Sequence, residues 1–152
     1  MSDIAETALV HAPLGSANRF LERYCQAHAA PEGGGARVLL RAGDLSAPAV
    51  VTLTAAKRPG DMNPRYAVHW EAEKPGPYPV FDGELSIDGD EDYNAFWLAL
   101  AGGYKPPGGL VGGVFDAVVG HRVAEIVSRG LLDAMRAEIE SDFAEEERAK
   151  QP

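Results

Sequence analysis

From Ala49 to Ile87, and again from Phe96 to Leu100, apolar side chains recur at every second position. Val51, Leu53 and Ala55 form one such set; Tyr66, Val68, Trp70 and Ala72 the next; Phe81, Gly83, Leu85 and Ile87 a third; and Phe96, Leu98 and Leu100 a fourth. Strand side chains switch faces at each residue, so each set marks the face turned toward a core. Polar residues hold the other parity, notably Arg65, His69, Glu71 and Glu73, then Asp82, Glu84 and Ser86. The pattern predicts strands over Thr7 to His11, Ala36 to Arg41, Ala49 to Ala56, Arg65 to Glu73, Val80 to Ile87 and Tyr93 to Ala101. Short turn-rich pieces such as Lys57-Arg58-Pro59-Gly60-Asp61, Lys74-Pro75-Gly76-Pro77 and Asp88-Gly89-Asp90 separate them, which favours an antiparallel meander with one greasy and one wet face.

The period changes in two places. Ala17, Phe20, Leu21, Tyr24, Cys25 and His28 recur at helical spacing after Pro13-Leu14-Gly15-Ser16, a turn whose serine can cap the helix, and Pro31 to Gly35 ends it in a connector. From about Leu110 to about Ala144 the pattern is helical again, a span on the order of 50 Å at the usual rise. Val119, Val123, Ile126, Val127, Gly130, Leu131 and Ala134 make its apolar stripe, opposite Arg122, Glu125, Arg129, Asp133 and Arg136. Val111, Val114, Phe115 and Val118 point elsewhere, as a greasy lid over a cavity would. The expected fold class is α+β, a curved antiparallel sheet packed on a long C-terminal helix. Residues 1–140 are expected to form a single domain, and residues 141–152 a charged extension that leaves the sheet and frays.

Composition narrows the function classes. The 152 residues are 45% hydrophobic and 24% charged, ordinary for a globular chain. Lys plus Arg number 14 against 23 Asp plus Glu, and a net charge of −9 repels phosphate backbones and anionic headgroups, so nucleic acid is not an expected partner. The acids cluster at Asp82, Glu84, Asp88, Asp90, Glu91 and Asp92, and at Glu138, Glu140, Asp142, Glu145, Glu146 and Glu147. Both clusters read first as solvated surface. Cys25 is the single cysteine, Met1 to Glu6 has no signal-peptide character, and no stretch is a membrane span. The expectation is a cytoplasmic protein that is not an integral membrane protein.

Val68-His69-Trp70-Glu71-Ala72, then Tyr78-Pro79-Val80-Phe81-Asp82-Gly83-Glu84-Leu85, then Leu98 to Gly109, then Asp116, in that order along the chain, resemble the SRPBCC superfamily, the START-like proteins that include polyketide cyclases and lipid-transfer proteins. The resemblance covers roughly Ala5 to Glu140. It implies a helix-grip fold, with the sheet wrapped around the terminal helix and a deep cavity beneath the Pro106-Pro107-Gly108-Gly109 corner. One departure is a single clear helix between Ser16 and Pro31 where many relatives have two, which implies a reduced entrance. Fold analogy assigns no chemistry.

An apolar or amphipathic small molecule is therefore the expected ligand, with Tyr66, Val68, Trp70, Phe81, Leu85, Phe96, Leu98, Tyr104, Val111, Phe115 and Val119 the expected contacts. Core and pocket wall are nearly the same prediction in a fold whose centre is hollow. The alternatives are a cyclase or dehydratase-like enzyme and a protein-interaction module. Catalysis would fall to His69 and Glu71, beside Arg65, as base, acid and anion clamp. Parity argues against them, because turning them inward would expose Tyr66, Val68 and Trp70. His121 and Glu125 at i and i+4 lack a third and fourth metal ligand, and an exposed pair is the expected reading. His11 and His28 have no partner identifiable in sequence, and Cys25 reads as a small buried hydrophobe. Gly108-Gly109-Leu110-Val111-Gly112-Gly113 fits neither dinucleotide nor phosphate-loop spacing, so no cofactor and no metal is expected.

Overall fold

The computed structural model describes residues 2–41, 48–56, 63, 65–74, 78–106 and 117–151, with the side chains of residues 2 and 117–119 outside that description. Six strands form one antiparallel sheet: β1 (Ser2–Val10), β2 (Ala36–Leu40), β3 (Ala49–Ala55), β4 (Tyr66–Ala72), β5 (Val80–Gly89) and β6 (Phe96–Lys105). Their order across the sheet is β1-β6-β5-β4-β3-β2. From β2 to β6 this is the expected meander, and β1 closes the far edge against β6.

The boundaries differ where glycine or a charge breaks the pattern. β6 continues through Gly102 and Gly103 to Lys105, past the expected end at Ala101. β1 begins at Ser2 instead of Thr7, because Glu6 interrupts an inward set of Ile4, Ala8 and Val10 that pairing with β6 nonetheless holds in register. The helix α1 (Ala17–Ala27) buries Ala17, Phe20, Leu21 and Tyr24 as its stripe predicts. Ser16 stands at its N-cap, but a 3-10 turn over Leu14–Ser16 leads in and the hydroxyl makes no capping bond. The connector after α1 turns at Gly35, whose φ of 113° favours glycine and whose place against the Leu53 carbonyl leaves no room for a Cβ.

Register lines up the inner face in rows. Val38, Val51, Trp70, Phe81 and Tyr104 are successive cross-strand partners from β2 to β6. The neighbouring row runs Ala36, Leu53, Val68, Gly83, Gly102 and Ile4. A Cβ on Gly83 would lie 2.5 Å from the Ala101 carbonyl oxygen and 2.6 Å from Phe81 Cζ, and one on Gly102 would meet the Asp82 carbonyl and lie 2.9 Å from the same ring carbon. The Phe81 ring therefore lies down over the glycine pair, and Trp70 stacks beside it with centroids 5.5 Å apart and planes 11° from parallel. Two facing glycines let the strands approach and bend, the usual role of glycine inside a curved sheet.

Helix α2 (Ala117–Ala149) lies on this face, closest to β1 and also against β6, β2 and α1. It runs alongside β1 in the same sense: Arg129 Nε donates to Glu6 at 3.1 Å, and farther along, Glu140 accepts the backbone N–H of His11 at 2.8 Å. Its most buried line is Ala124, Val127, Ser128, Leu131, Leu132, Met135 and Ile139, while Val123, Ile126 and Ala134 of the expected stripe are only partly covered. The line is turned because α1 covers α2 from a second side, so two neighbours and not the sheet alone select the buried positions. Arg122, Arg129 and Asp133 of the expected charged side are exposed.

Where a frayed extension was expected after residue 140, α2 continues without interruption to Ala149. Phe143 meets Phe20 edge-on at 6.2 Å, and Glu146 accepts from Arg19 at 2.6 Å while Arg19 and Arg23 sit over the Phe20 ring. The expected helical start at Leu110 and the lid segment before Ala117 lie outside the described residues, as does most of the Pro106 to Gly109 corner.

Candidate ligand-binding interior

Alternation along β4, β5 and β6 turns the expected contacts inward. Tyr66, Val68, Trp70, Phe81, Leu85, Phe96, Leu98 and Tyr104 are all buried. Val111, Phe115 and the side chain of Val119 lie outside the described residues. Trp70 is 1% exposed, in the middle of the aromatic row, and Phe81 is fully covered.

Two features of this interior are polar. The Trp70 Nε1 and Ser128 Oγ atoms are buried and have no hydrogen-bond partner among the described residues. A helical serine ordinarily returns its hydroxyl to a carbonyl one turn back, and a buried indole N–H ordinarily finds an acceptor. Burying such a group unpaired costs about 1–3 kcal/mol, so each orphan calls for a reason. Apart from the tyrosines and Trp70, Ser128 is the only residue with a polar side chain in the buried set among the described residues.

At one end of the aromatic row, Tyr104 meets α2. Its hydroxyl lies 3.0 Å from His121 Nδ1, and His121 Nε2 lies 2.8 Å from Glu125 Oε1. With Nε2 donating to the carboxylate, Nδ1 accepts from the tyrosine O–H, and the three groups form a chain that can pass a proton between a buried phenol and a partly exposed carboxylate. The His121–Glu125 pair was legible as an i, i+4 contact, whereas its link to Tyr104 joins separate elements and has no sequence signal.

A second polar group sits where α1 faces β4 and α2. The Tyr66 hydroxyl donates to the Cys25 thiol, and burial above all pushes the Tyr66 phenol up to about 12. Burial likewise raises the Cys25 thiol, opposed by the tyrosine bond and helped by Glu22, which keeps the thiol protonated and unreactive. Tyr24 is pushed well above its ordinary value by burial, then by the nearby Glu138. His28 packs on the Tyr24 ring and lies 3.0 Å from Glu138 Oε1, so the partner it lacked in sequence comes from α2.

The outer face holds the expected catalytic candidates. His69 and Glu71 side chains are 41% and 58% exposed, with His69 Nδ1 2.7 Å from Asp82 Oδ1 and Nε2 3.3 Å from Glu71 Oε2. Arg65 binds Glu84 across the same two strands at 2.6 Å. Partial burial lowers the His69 imidazole, but the hydrogen bonds its ring donates to Asp82 and Glu71 outweigh it and the net direction is upward. The acid clusters are thus not simply solvated: Asp82, Glu84, Glu138, Glu140 and Glu146 each hold a partner on another element. Among the described residues, no group of three or more His, Cys, Asp or Glu is placed to hold a metal ion, and no helix is long and apolar enough to cross a membrane.

No family model and no curated protein matches the sequence. Solved structures do. A conserved protein from Geobacillus kaustophilus superposes over 95% of this chain and 96% of its own, with a TM-score of 0.59 at 12% identity. A START superfamily protein from Mycobacterium smegmatis covers 94% of this chain and 97% of its own, with a TM-score of 0.51 at 9% identity. The fold is the START-like helix grip. At these identities the START-like likeness speaks for the architecture, and the interior must be read from its own residues.

Proposed function

We propose that the protein binds or carries an apolar or amphipathic small molecule between the inner face of the sheet and α2. The observation that carries this reading is Trp70, a fully covered aromatic at the centre of the inner face whose N–H has no hydrogen-bond partner among the described residues. A side chain chosen only to fill space would carry no such atom. The START-like fold, shared with the START superfamily protein from Mycobacterium smegmatis, supports the same reading. A cytoplasmic setting belongs to the proposal, supported by Cys25 being the chain's single cysteine.

Thermal-shift and native-mass measurements across lipids, isoprenoids and aromatic polyketides test it. A retained mass with a matching rise in Tm is expected for at least one class, since a ligand present at a hundred times its Kd adds about 2.7 kcal/mol. No retained mass and no shift in any class would remove the proposal.

A second reading, proton-transfer catalysis on the bound molecule, is favoured by the Tyr104, His121 and Glu125 chain and no longer by His69 and Glu71. It predicts exchange of α-protons for deuterium in a bound ketone, lost in Tyr104→Phe. Exchange that matches the protein-free rate would end it.

A further inference from the structure

We infer that Trp70 Nε1 and Ser128 Oγ are the specificity-determining donors of the interior, and that they select an uncharged apolar molecule bearing a hydrogen-bond acceptor, such as a ketone or ester carbonyl. The inference rests on the binding reading above and deepens it. An indole N–H can only donate, so whatever meets it must offer a lone pair. A serine hydroxyl can donate to the same kind of oxygen. One lies on β4 and the other on the buried line of α2, the two elements that bound the proposed site, and both are without partners among the described residues.

Packing does not require either atom. The same face uses phenylalanine at Phe81 and Phe96, and alanine serves at Ala124, one turn before Ser128 on the same buried line of α2. A purely apolar side chain at either position would cover the same face without burying an orphan, so the presence of both polar groups is explained by a partner that arrives with the ligand. Charge then limits that partner. No Lys, Arg or His side chain is in the buried set among the described residues, so no buried cation neutralises a carboxylate or phosphate, whose burial unpaired is far costlier than that of a carbonyl.

The test uses the full chain and three probes on one skeleton: 9-fluorenone, fluorene and fluorene-9-carboxylate, with retention measured by equilibrium dialysis. Fluorenone is expected to bind on the order of tenfold tighter than fluorene, the difference one good hydrogen bond supplies, with the carboxylate weakest. Trp70→Phe should bring fluorenone down to the level of fluorene, and Ser128→Ala should narrow the gap between the two. Ser128→Ala is the smaller change and keeps the test valid if the tryptophan variant does not fold, which its thermal unfolding would reveal. Equal retention of fluorenone and fluorene by the wild-type protein would overturn the inference and leave the binding reading intact, the orphans then being satisfied by trapped water. So would a fluorenone preference that survives Ser128→Ala and Trp70→Phe together. Retention of none of the three would overturn the inference and count against the binding reading as well.

Discussion

The two faces of the sheet are built from alternate residues of the same strands, yet they obey different rules. On β4 the inner residues Tyr66, Val68 and Trp70 are buried, while His69 and Glu71 between them reach solvent and pair with each other and with Asp82 on β5. Outside, Arg65 and His69 find cross-strand partners in Glu84 and Asp82 and keep contact with water, so such pairing matters little to stability. Inside, nearly everything is apolar, and the few polar atoms matter because water cannot cover for a missing partner. The lesson is that chemistry-bearing residue types crowd the outer face, where they are cheap, while the informative polar atoms are a tryptophan N–H and a serine hydroxyl that composition would never single out.

The two tryptophans give the largest test of this contrast. Trp70→Ala should cost about 3–5 kcal/mol by leaving a hole in the aromatic row, whereas Trp97→Ala, on the outer parity of β6 with its N–H to Asp90 at 3.3 Å, should cost about 1 kcal/mol or less. Urea unfolding of both variants reads the difference, and equal losses would break the distinction between the faces.

Curvature comes next. Gly83→Ala places a methyl group against the Ala101 carbonyl and the Phe81 ring, and should cost about 1–3 kcal/mol by urea unfolding. Coupling with Phe81→Leu sharpens it: if the flat Phe81 ring is what the glycines accommodate, the double variant should lose less than the two single losses together.

The contrast between covered and wet surface extends along α2 beyond the sheet. Phe143→Ala removes the edge-on contact with Phe20 and should cost about 1 kcal/mol, read as a fall in Tm. An unchanged Tm would mean that the end of α2 contributes nothing to stability.

The smallest effect lies on the outer face and depends on pH. His69 has its imidazole raised in the folded state, so its contribution is fully present below the ordinary histidine value near 6.5 and is lost as pH rises through the higher folded value. Solvent screening keeps it to a few tenths of a kcal/mol. Stability measured from pH 5.5 to 8.5 should therefore decline slightly more in the wild-type protein than in Asp82→Asn, and identical slopes would show that the pair is energetically silent.

Much of this molecule is readable from local pattern, and the misses are equally instructive. Period-two alternation placed Trp70 inside and His69 outside, because a strand's geometry leaves each side chain one of two directions and the greasier set must be covered. The glycines hid the end of a strand: the expected strand stops at Ala101, whereas β6 runs on through Gly102 and Gly103, and close approach to β5 and the Phe81 ring requires the absence of a Cβ at Gly102. The acid clusters lie at the surface as expected, but their ion pairs were not legible, since a charge run carries no mark of the Arg19 or His28 that will meet it from another element.

The sequence by itself determined the strand faces, the helix periods and hence the α+β architecture, all of which follow from residues a few positions apart. Only the tertiary structure decided that α1 would turn the buried line of α2 toward Ser128, that Tyr104 would close onto His121, and that the Trp70 N–H would be sealed with no partner among the described residues. Those outcomes depend on surfaces from distant elements meeting in three dimensions, where a single chain's local pattern carries no information about which neighbour arrives or which hydrogen bond it leaves unmade.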